Sequence, residues 1–457
     1  MPGPTPEAPR HDGIGRARSS GLLCLLLTAA LLAGLAVLRG EAFWSTSDGV
    51  YAVTARELLH GAALYHSVAA AQPPVVYLVG AGLLGLHDSL TALRAGLELA
   101  MLATAMLVWL AVLRLTRRPG LALIAGVLTP LTPLMLHENA LLTPETLGTP
   151  LLLGCALLSA RRGGAAAAGL LGAVCVATKL SFALPVLLIL LAGRHRRRGL
   201  AFAAGGLVGL AGAGSLVFGV ELWQSIVTAQ QQTGFTPLHD ALGLLGQEAW
   251  NELPLTVIAG VALLVGRARA LDPTLLRVMA ATGVGCLVVG LSVVKLGSYV
   301  NTVQVAEPAL VVLAACGAAW IHGRLGPWQL PSAVVAGLAA ALVLAESASL
   351  LLSPADPSVF TRPGASSGPR RLLASAQVRA AAGIARHCDP AAAYPGIPFI
   401  AFVAGRRVPG GQPDGFIVTV RENRRFALRA DADRKRCPTT VPEVDDRGDV
   451  HVVKILR

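Results

Sequence analysis

The stretch EAFWSTSDGVYAVTARELLHGAALYHSVAAAQPPVVY, Glu41 to Tyr77, decides how this chain is read. It follows the first long apolar run, Gly21 to Leu38, and leads into a second apolar piece, Pro74 to Leu86. That second piece is short of the ~20 residues a spanning helix needs, so it is expected to lie at the membrane surface or to be re-entrant. The quoted stretch gathers Asp48, Tyr51, Arg56, Glu57, Tyr65 and a Gln72-Pro-Pro at one membrane edge. Polar groups collected there need a reason to be there.

Outward from this loop the chain is mostly apolar. Of 457 residues, 54% are apolar and 14% charged, where a soluble domain carries about 25% charge. Mean hydropathy is +0.62. Repeated apolar stretches then define an all-α polytopic membrane protein. The net charge of +12 is not a nucleic-acid footprint: only four of the 38 basic residues are lysines, and most arginines lie in short turns between apolar runs. They report topology.

Residues 1–20, rich in Pro and Gly with Arg10, Arg16 and Arg18, read as a disordered cytoplasmic tail. If 74–86 does not span, eleven spans follow: 21–39, 91–113, 119–136, 147–160, 163–178, 182–193, 199–219, 254–266, 276–294, 304–321 and 332–352. Every strong Arg cluster before residue 353 then falls on the cytoplasmic side of a cell-membrane protein. The span-bearing domain is 21–352, and 353–370 is a linker. Residues 371–457 read as a small extracytoplasmic α/β domain, with a helix at 371–387 and strand-like runs IPFIAFVAG, GFIVTV and VHVVKILR. Cys388 and Cys437 lie in it and either form a disulfide or remain two free thiols. The other five cysteines sit in apolar spans as small core residues.

The outer loops carry the polar residues: Asp48, Tyr51, Arg56, Glu57 and Gln72, then His137, Glu138 and Glu145, then Lys179 and Ser181, then Gln230 among several Gln, then Lys295, Tyr299 and Asn301. Acids and cations beside apolar grooves suit a polyprenyl-phosphate sugar. Its tail lies along helices, its phosphate needs Lys or Arg, and an attacking hydroxyl needs a carboxylate base.

The runs Asp48-Gly-Val-Tyr51, ARELLHG and Gln72-Pro-Pro-Val-Val-Tyr77 resemble the first outer loop of GT-C-fold glycosyltransferases that use lipid-linked sugars. These are the protein O-mannosyltransferase and aminoarabinose transferase relatives. Thr143-Pro-Glu145, Ala177-Thr-Lys179 and Lys295-Leu-Gly-Ser-Tyr-Val-Asn301 are similar to their bacterial members, so the resemblance covers residues 20–350. It implies transfer of a sugar to an extracytoplasmic glycan, lipid or protein acceptor, with inversion. Asp48 becomes the implied base or metal-side carboxylate, Glu145 with Glu138 the second-loop acids, and Lys179 and Lys295 the phosphate ligands. Tyr51, Arg56, Glu57, Gln72, Tyr299 and Asn301 join them as substrate-binding candidates. Relatives often carry a basic residue where this chain has Gln72, so Arg56 or Lys295 has to compensate. A divalent metal ion is an open question, with Asp48, His137 and Glu138 as candidate ligands.

Each residue also has a plainer reading. Asp48 suits a helix N-cap, Arg56 and Glu57 solvated charges, Glu145 a first-turn acid, and Lys179 a snorkelling cation. Two other functions stay open, a lipid-linked-sugar flippase and a degenerate transferase-like scaffold. Transport would place ionisable residues in mid-span and use both faces, which this pattern does not.

Overall fold

Where no water is available, backbone polar groups must be satisfied within a segment, and apolar runs of this length do so as helices. The structure, a computed structural model, describes residues 12–39, 46–138, 140–232, 234–235, 237–266, 272–295, 302–322, 401–402, 405–408, 441–444 and 450–453. In chain order it holds α1 (Asp12–Arg39), α2 (Thr46–Leu59), α3 (Val75–Leu86), α4 (Leu90–Thr116), α5 (Pro119–Leu128) and α6 (Pro133–Glu138). Then come α7 (Pro144–Ala160), α8 (Ala165–Val176), α9 (Ala183–Ala192), α10 (Arg196–Trp223) and α11 (Ala229–Gln232). The bundle continues with α12 (Leu238–Gly266), α13 (Pro273–Gly290) and α14 (Glu307–His322). Strands β1 (Val441–Val444) and β2 (Val450–Val453) form an antiparallel pair, Val441 opposite Val453.

Segments Gly15–Val37, Leu90–Thr116, Arg196–Thr228 and Pro273–Gly290 are long and apolar enough to cross a membrane, and shorter apolar helices pack among them. The chain is a membrane protein. Leu216 is 90% exposed on α10, with Val208 and Val217 also turned outward, as a lipid-facing helix requires. The inner side of α10 meets α8 through small residues: a Cβ on Gly169 would fall 2.3 Å from the Gly199 carbonyl oxygen. Close backbone approach of this kind is how helices associate where lipid removes the hydrophobic drive.

Ten of the eleven expected spans have a helical counterpart, and 332–352 lies outside the described residues. Several expectations need correction. The helix expected over 119–136 breaks, because Pro130 and Pro133 each remove a backbone donor; a 3-10 turn, Thr129–Leu131, separates α5 from α6. Helix α1 begins at Asp12, inside the expected tail. The expected outer loop 220–253 is largely helical. Within IPFIAFVAG, Ala401 and Phe402 are helical, not extended. Gly405, at φ 66°, closes that turn, with its N–H on Phe402 O (3.1 Å) and the Arg406 N–H on Ala401 O (3.0 Å). VHVV is a strand as expected, and its partner VPEV was not foreseen. The linker, the 371–387 helix, GFIVTV, Cys388 and Cys437 lie outside the described residues.

The bundle has two chemically different ends. At one, Asp272 caps α13 by accepting from Leu275 N (3.1 Å). The same carboxylate pairs with Arg114 at the end of α4 (3.1 Å) and Arg194 after α9 (3.9 Å). Arg194 also donates to Ala160 O, the last residue of α7 (3.0 Å). The opposite ends of α7, α9 and α13 carry Glu145, Lys179 and Lys295.

Candidate functional site

Helix α7 starts with Thr143 as N-cap, its hydroxyl accepting from Thr146 N (3.3 Å), and Pro144 in the first turn. This puts Glu145 in that turn, where the positive end of the helix dipole favours a carboxylate. One turn on, Gly148 has no side chain, and a Cβ there would lie 2.2 Å from the Phe182 ring. Phe182 fills that notch and is fully buried. Cys175 Sγ donates to Gly148 O (3.7 Å) and holds the end of α8 in the same place. The α8–α9 turn is therefore pinned so that Lys179 meets Glu145 in an ion pair. The carboxylate side chain is 1% exposed and the lysine 16%.

Lys295 arrives from the far end of α13 through a 3-10 turn, Leu291–Val294. Its ammonium donates to Gln230 Oε1 (2.7 Å). Burial first, and then the nearby Lys179 charge, hold it below the ordinary lysine value. Gln230 reaches the site because α10 kinks at Gly219, whose φ of 67° suits glycine, and continues as a π-turn, Gln224–Thr228. The amide of Gln230 then donates to Ala71 O (3.1 Å).

The quoted first loop is held from within. Tyr65 donates its hydroxyl to Gln72 O (2.7 Å), and the Gln72 N–H donates to Tyr77 Oη (3.3 Å). Tyr65 takes φ 66°, a left-handed backbone that a bulky residue rarely adopts. It is fully buried, with Phe218 packed edge-on at 5.5 Å. Tyr51 on α2 stacks on Tyr77 at 5.6 Å, which ties α2 to the same loop. Asp48 lies in the first turn of α2, and Gly61 (φ 87°) terminates that helix, with its N–H on Leu58 O (2.9 Å).

The structure thus pairs Glu145 with Lys179, sets Lys295 within reach of the Lys179 charge, and ties Lys295 through Gln230 to Ala71 in the loop that holds Gln72, Tyr77 and Tyr51. Glu138 is buried beside them: its carbonyl accepts from Thr146 Oγ1 (3.4 Å). Arg56 and Glu57 turn elsewhere. Arg56 pairs with Asp88 (2.8 Å), donates to Phe402 O (2.6 Å) and lies over the Phe402 ring at 4.9 Å. Glu57, 6% exposed, accepts the Val408 N–H (2.8 Å). Both hold the C-terminal segment against α2. Tyr299 and Asn301 lie outside the described residues, as do the side chains of Asp48 and His137.

Sequence reasoning missed Glu307. Fully buried at the start of α14, it accepts from Thr132 Oγ1 (2.6 Å), Leu134 N (2.9 Å) and Met135 N (2.8 Å). It caps α6 from another part of the chain and so positions Glu138. Gln230 was seen only as one of several loop glutamines. Among the described residues, no three His, Cys, Asp or Glu side chains cluster as a metal site. Glu138 is the one described side chain of the three candidate ligands and makes no donor set by itself.

A polytopic bundle of apolar helices with Glu145, Lys179 and Lys295 at one end defines the class, a helical membrane protein. No family model matches the sequence, and no curated protein does. The fold is similar to that of ArnT from Cupriavidus metallidurans in the apo state, at 18% identity and TM-score 0.55, covering 88% of this chain and 77% of that one. The same protein solved with undecaprenyl phosphate is 15% identical, with TM-score 0.49, over 90% of this chain and 77% of that one. The shared fold is the GT-C type that the first-loop resemblance implies.

Proposed function

We propose that the chain is an integral-membrane glycosyltransferase that moves a sugar from a polyprenyl-phosphate donor to an acceptor hydroxyl outside the cytoplasmic membrane. The observation that carries this reading is the placement of Lys179, paired with Glu145, and Lys295, bonded to Gln230, half of the chain's lysines, at one end of the bundle and within range of each other's charge. Two cations that repel each other at a partly buried site are costly unless an anion joins them. Glu145 supplies part of that charge, and the donor phosphate supplies the rest.

In the proposed reaction the acceptor hydroxyl attacks the anomeric carbon while Asp48 takes its proton. The bond from that carbon to the phosphate oxygen breaks with inversion, and its electron pair leaves on the phosphate, stabilised by Lys179 and Lys295. Tyr51, Gln72, Tyr299 and Asn301 are the further substrate contacts of this reading. Glu138 supports the Glu145 turn. The C-terminal segment docked on Arg56 and Glu57 shapes the acceptor side.

Sugar transfer from polyprenyl-phosphate sugars to cell-envelope acceptors, measured in membranes, tests this. Asp48→Asn should slow transfer by about 10²-fold or more with donor binding kept, the loss expected for a missing general base. Lys179→Met/Lys295→Met should lose donor binding. Full activity in Asp48→Asn removes Asp48 as the base, and no transfer by wild type from any polyprenyl-phosphate sugar rejects the transferase reading.

A further inference from the structure

Three polar side chains at the lysine end of the bundle, two buried whole and the third buried at its hydroxyl, have hydrogen-bonding capacity left over. Gln304, 0% exposed, lies in the 3-10 turn Gln304–Ala306 that leads into α14. Its amide donates weakly to Met135 Sδ at 3.8 Å. A thioether sulfur can only accept, so that contact fixes which way the amide points. The carbonyl Oε1 is the end without a hydrogen-bond partner among the described residues. Thr302, 1% exposed, and Ser181 each hold a buried hydroxyl in the same condition.

These groups come from separate parts of the chain, on segments that adjoin the lysine-bearing turns or pack on the same helices. Ser181 is in the 3-10 turn that directly follows Lys179, and this turn packs on α13. Thr302 and Gln304 follow the Lys295 segment, and the Gln304 turn packs on α6, α7 and α13. Met135, the neighbour of Gln304, is in α6, whose Glu138 carbonyl is tied to Thr146 beside Glu145.

We infer that Gln304, with Thr302 and Ser181, recognises hydroxyl groups of the transferred sugar, an inference that rests on the transferase reading above. The chemistry selects this class of ligand. An ionised phosphate offers only acceptors and cannot satisfy a carbonyl oxygen, so it belongs with Lys179 and Lys295. A sugar hydroxyl donates to Gln304 Oε1 and accepts from Thr302 or Ser181. A bridging water would satisfy the same atoms without any consequence for the sugar.

The two cases separate experimentally, because an unsatisfied buried acceptor destabilises the ligand-free protein. Gln304→Met keeps the side-chain volume and removes that acceptor. The test uses the full chain in lipid nanodiscs. Binding of polyprenyl phosphate is compared with binding of polyprenyl phosphate carrying mannose, glucose or arabinose, alongside the thermal midpoint of the ligand-free protein. Wild type should bind at least one glycosylated lipid about tenfold tighter than the bare lipid, the scale of one buried hydrogen bond. Gln304→Met should bring the two to about the same affinity with bare-lipid binding unchanged, and its midpoint should equal or exceed wild type. Thr302→Val should lose part of the preference. Retained preference in Gln304→Met, or a lowered midpoint that marks Gln304 as a structural partner, overturns the inference. If wild type binds the bare lipid and prefers no sugar, the inference fails and the phosphate reading stands. If wild type binds none of these lipids, both fail.

Discussion

The ion pair between Glu145 and Lys179 separates what holds the site together from what it binds. Its carboxylate is 1% exposed and its lysine 16%. Breaking a buried pair from one side typically costs about 3–5 kcal/mol, because the remaining charge is left without its partner. In Glu145→Leu the ammonium keeps some access to water, so the lower figure applies, about 3 kcal/mol or roughly 150-fold in the unfolding equilibrium. In Lys179→Met the carboxylate has almost none, and a similar or larger loss is expected. The double variant Glu145→Leu/Lys179→Met removes both charges and should fall within about 1 kcal/mol of wild type. The two single losses less that of the double variant then give a coupling between the two sites of about 5 kcal/mol or more. Reversible unfolding in mixed micelles, titrated with a denaturing detergent, measures all four proteins. Donor binding should behave differently: the double variant regains stability and still lacks Lys179, so it should bind polyprenyl phosphate as poorly as Lys179→Met. A double variant no more stable than the worse single, or single variants indistinguishable from wild type, would refute the reasoning.

Glu307→Ala should strip the cap from α6, easing local opening by about 2 kcal/mol and speeding hydrogen exchange at the Leu134 and Met135 amides about 30-fold; unchanged rates would mean another group caps that helix. Donor binding should be strong at low pH and fall as pH rises through the depressed Lys295 value, below the ordinary 10.5, since only the ammonium holds phosphate. The same depression means the unfolded chain keeps this proton longer, so the contribution of Lys295 to stability rises with pH across that window. Lys295→Arg should move the alkaline limb of binding to higher pH, and an unmoved limb assigns the titration to another group. Glu57→Ala should free the Val408 N–H and speed limited proteolysis around residues 401–408 by about tenfold, the scale of one buried hydrogen bond; equal cleavage would show that Glu57 does not hold the segment.

Much of the bundle was legible because apolar runs between arginine-bearing turns leave few alternatives in a bilayer. The short segment before Leu86 and the end of α2 at Gly61 were readable for local reasons, segment length and glycine conformation. Pro130 and Pro133 carried a break signal that the hydropathy run overrode. Glu145, Lys179 and Lys295 stood out as rare charges, but nothing local says that the first two pair. That follows from Phe182 fitting the notch at Gly148, a matter of tertiary packing. Long-range bonds were invisible for the same reason. Thr132 and Glu307 are 175 residues apart, Gln230 and Ala71 are 159 apart, and Val408 and Glu57 are 351 apart. Glu307, followed by Pro308, looks like an ordinary first-turn acid. Arg56 and Glu57 looked like substrate contacts because the segment they hold lies so far along the chain.

The short α8–α9 hairpin has a consequence for the membrane itself. At 1.5 Å per residue, α8 rises about 18 Å and α9 about 15 Å from the arginine end, while α7 rises about 25 Å to Glu145. All three fall short of a hydrocarbon layer about 30 Å thick, and any tilt widens the gap. A full-thickness bilayer spanning the arginine end would leave Lys179 beneath the opposite headgroup plane unless it thins or admits water around the hairpin. If Lys179 holds the donor phosphate as proposed, that phosphate has to leave its leaflet surface and sink several ångströms, and the energetics of bilayer deformation would enter donor affinity. Membrane thickness should tune this protein as directly as a side chain does.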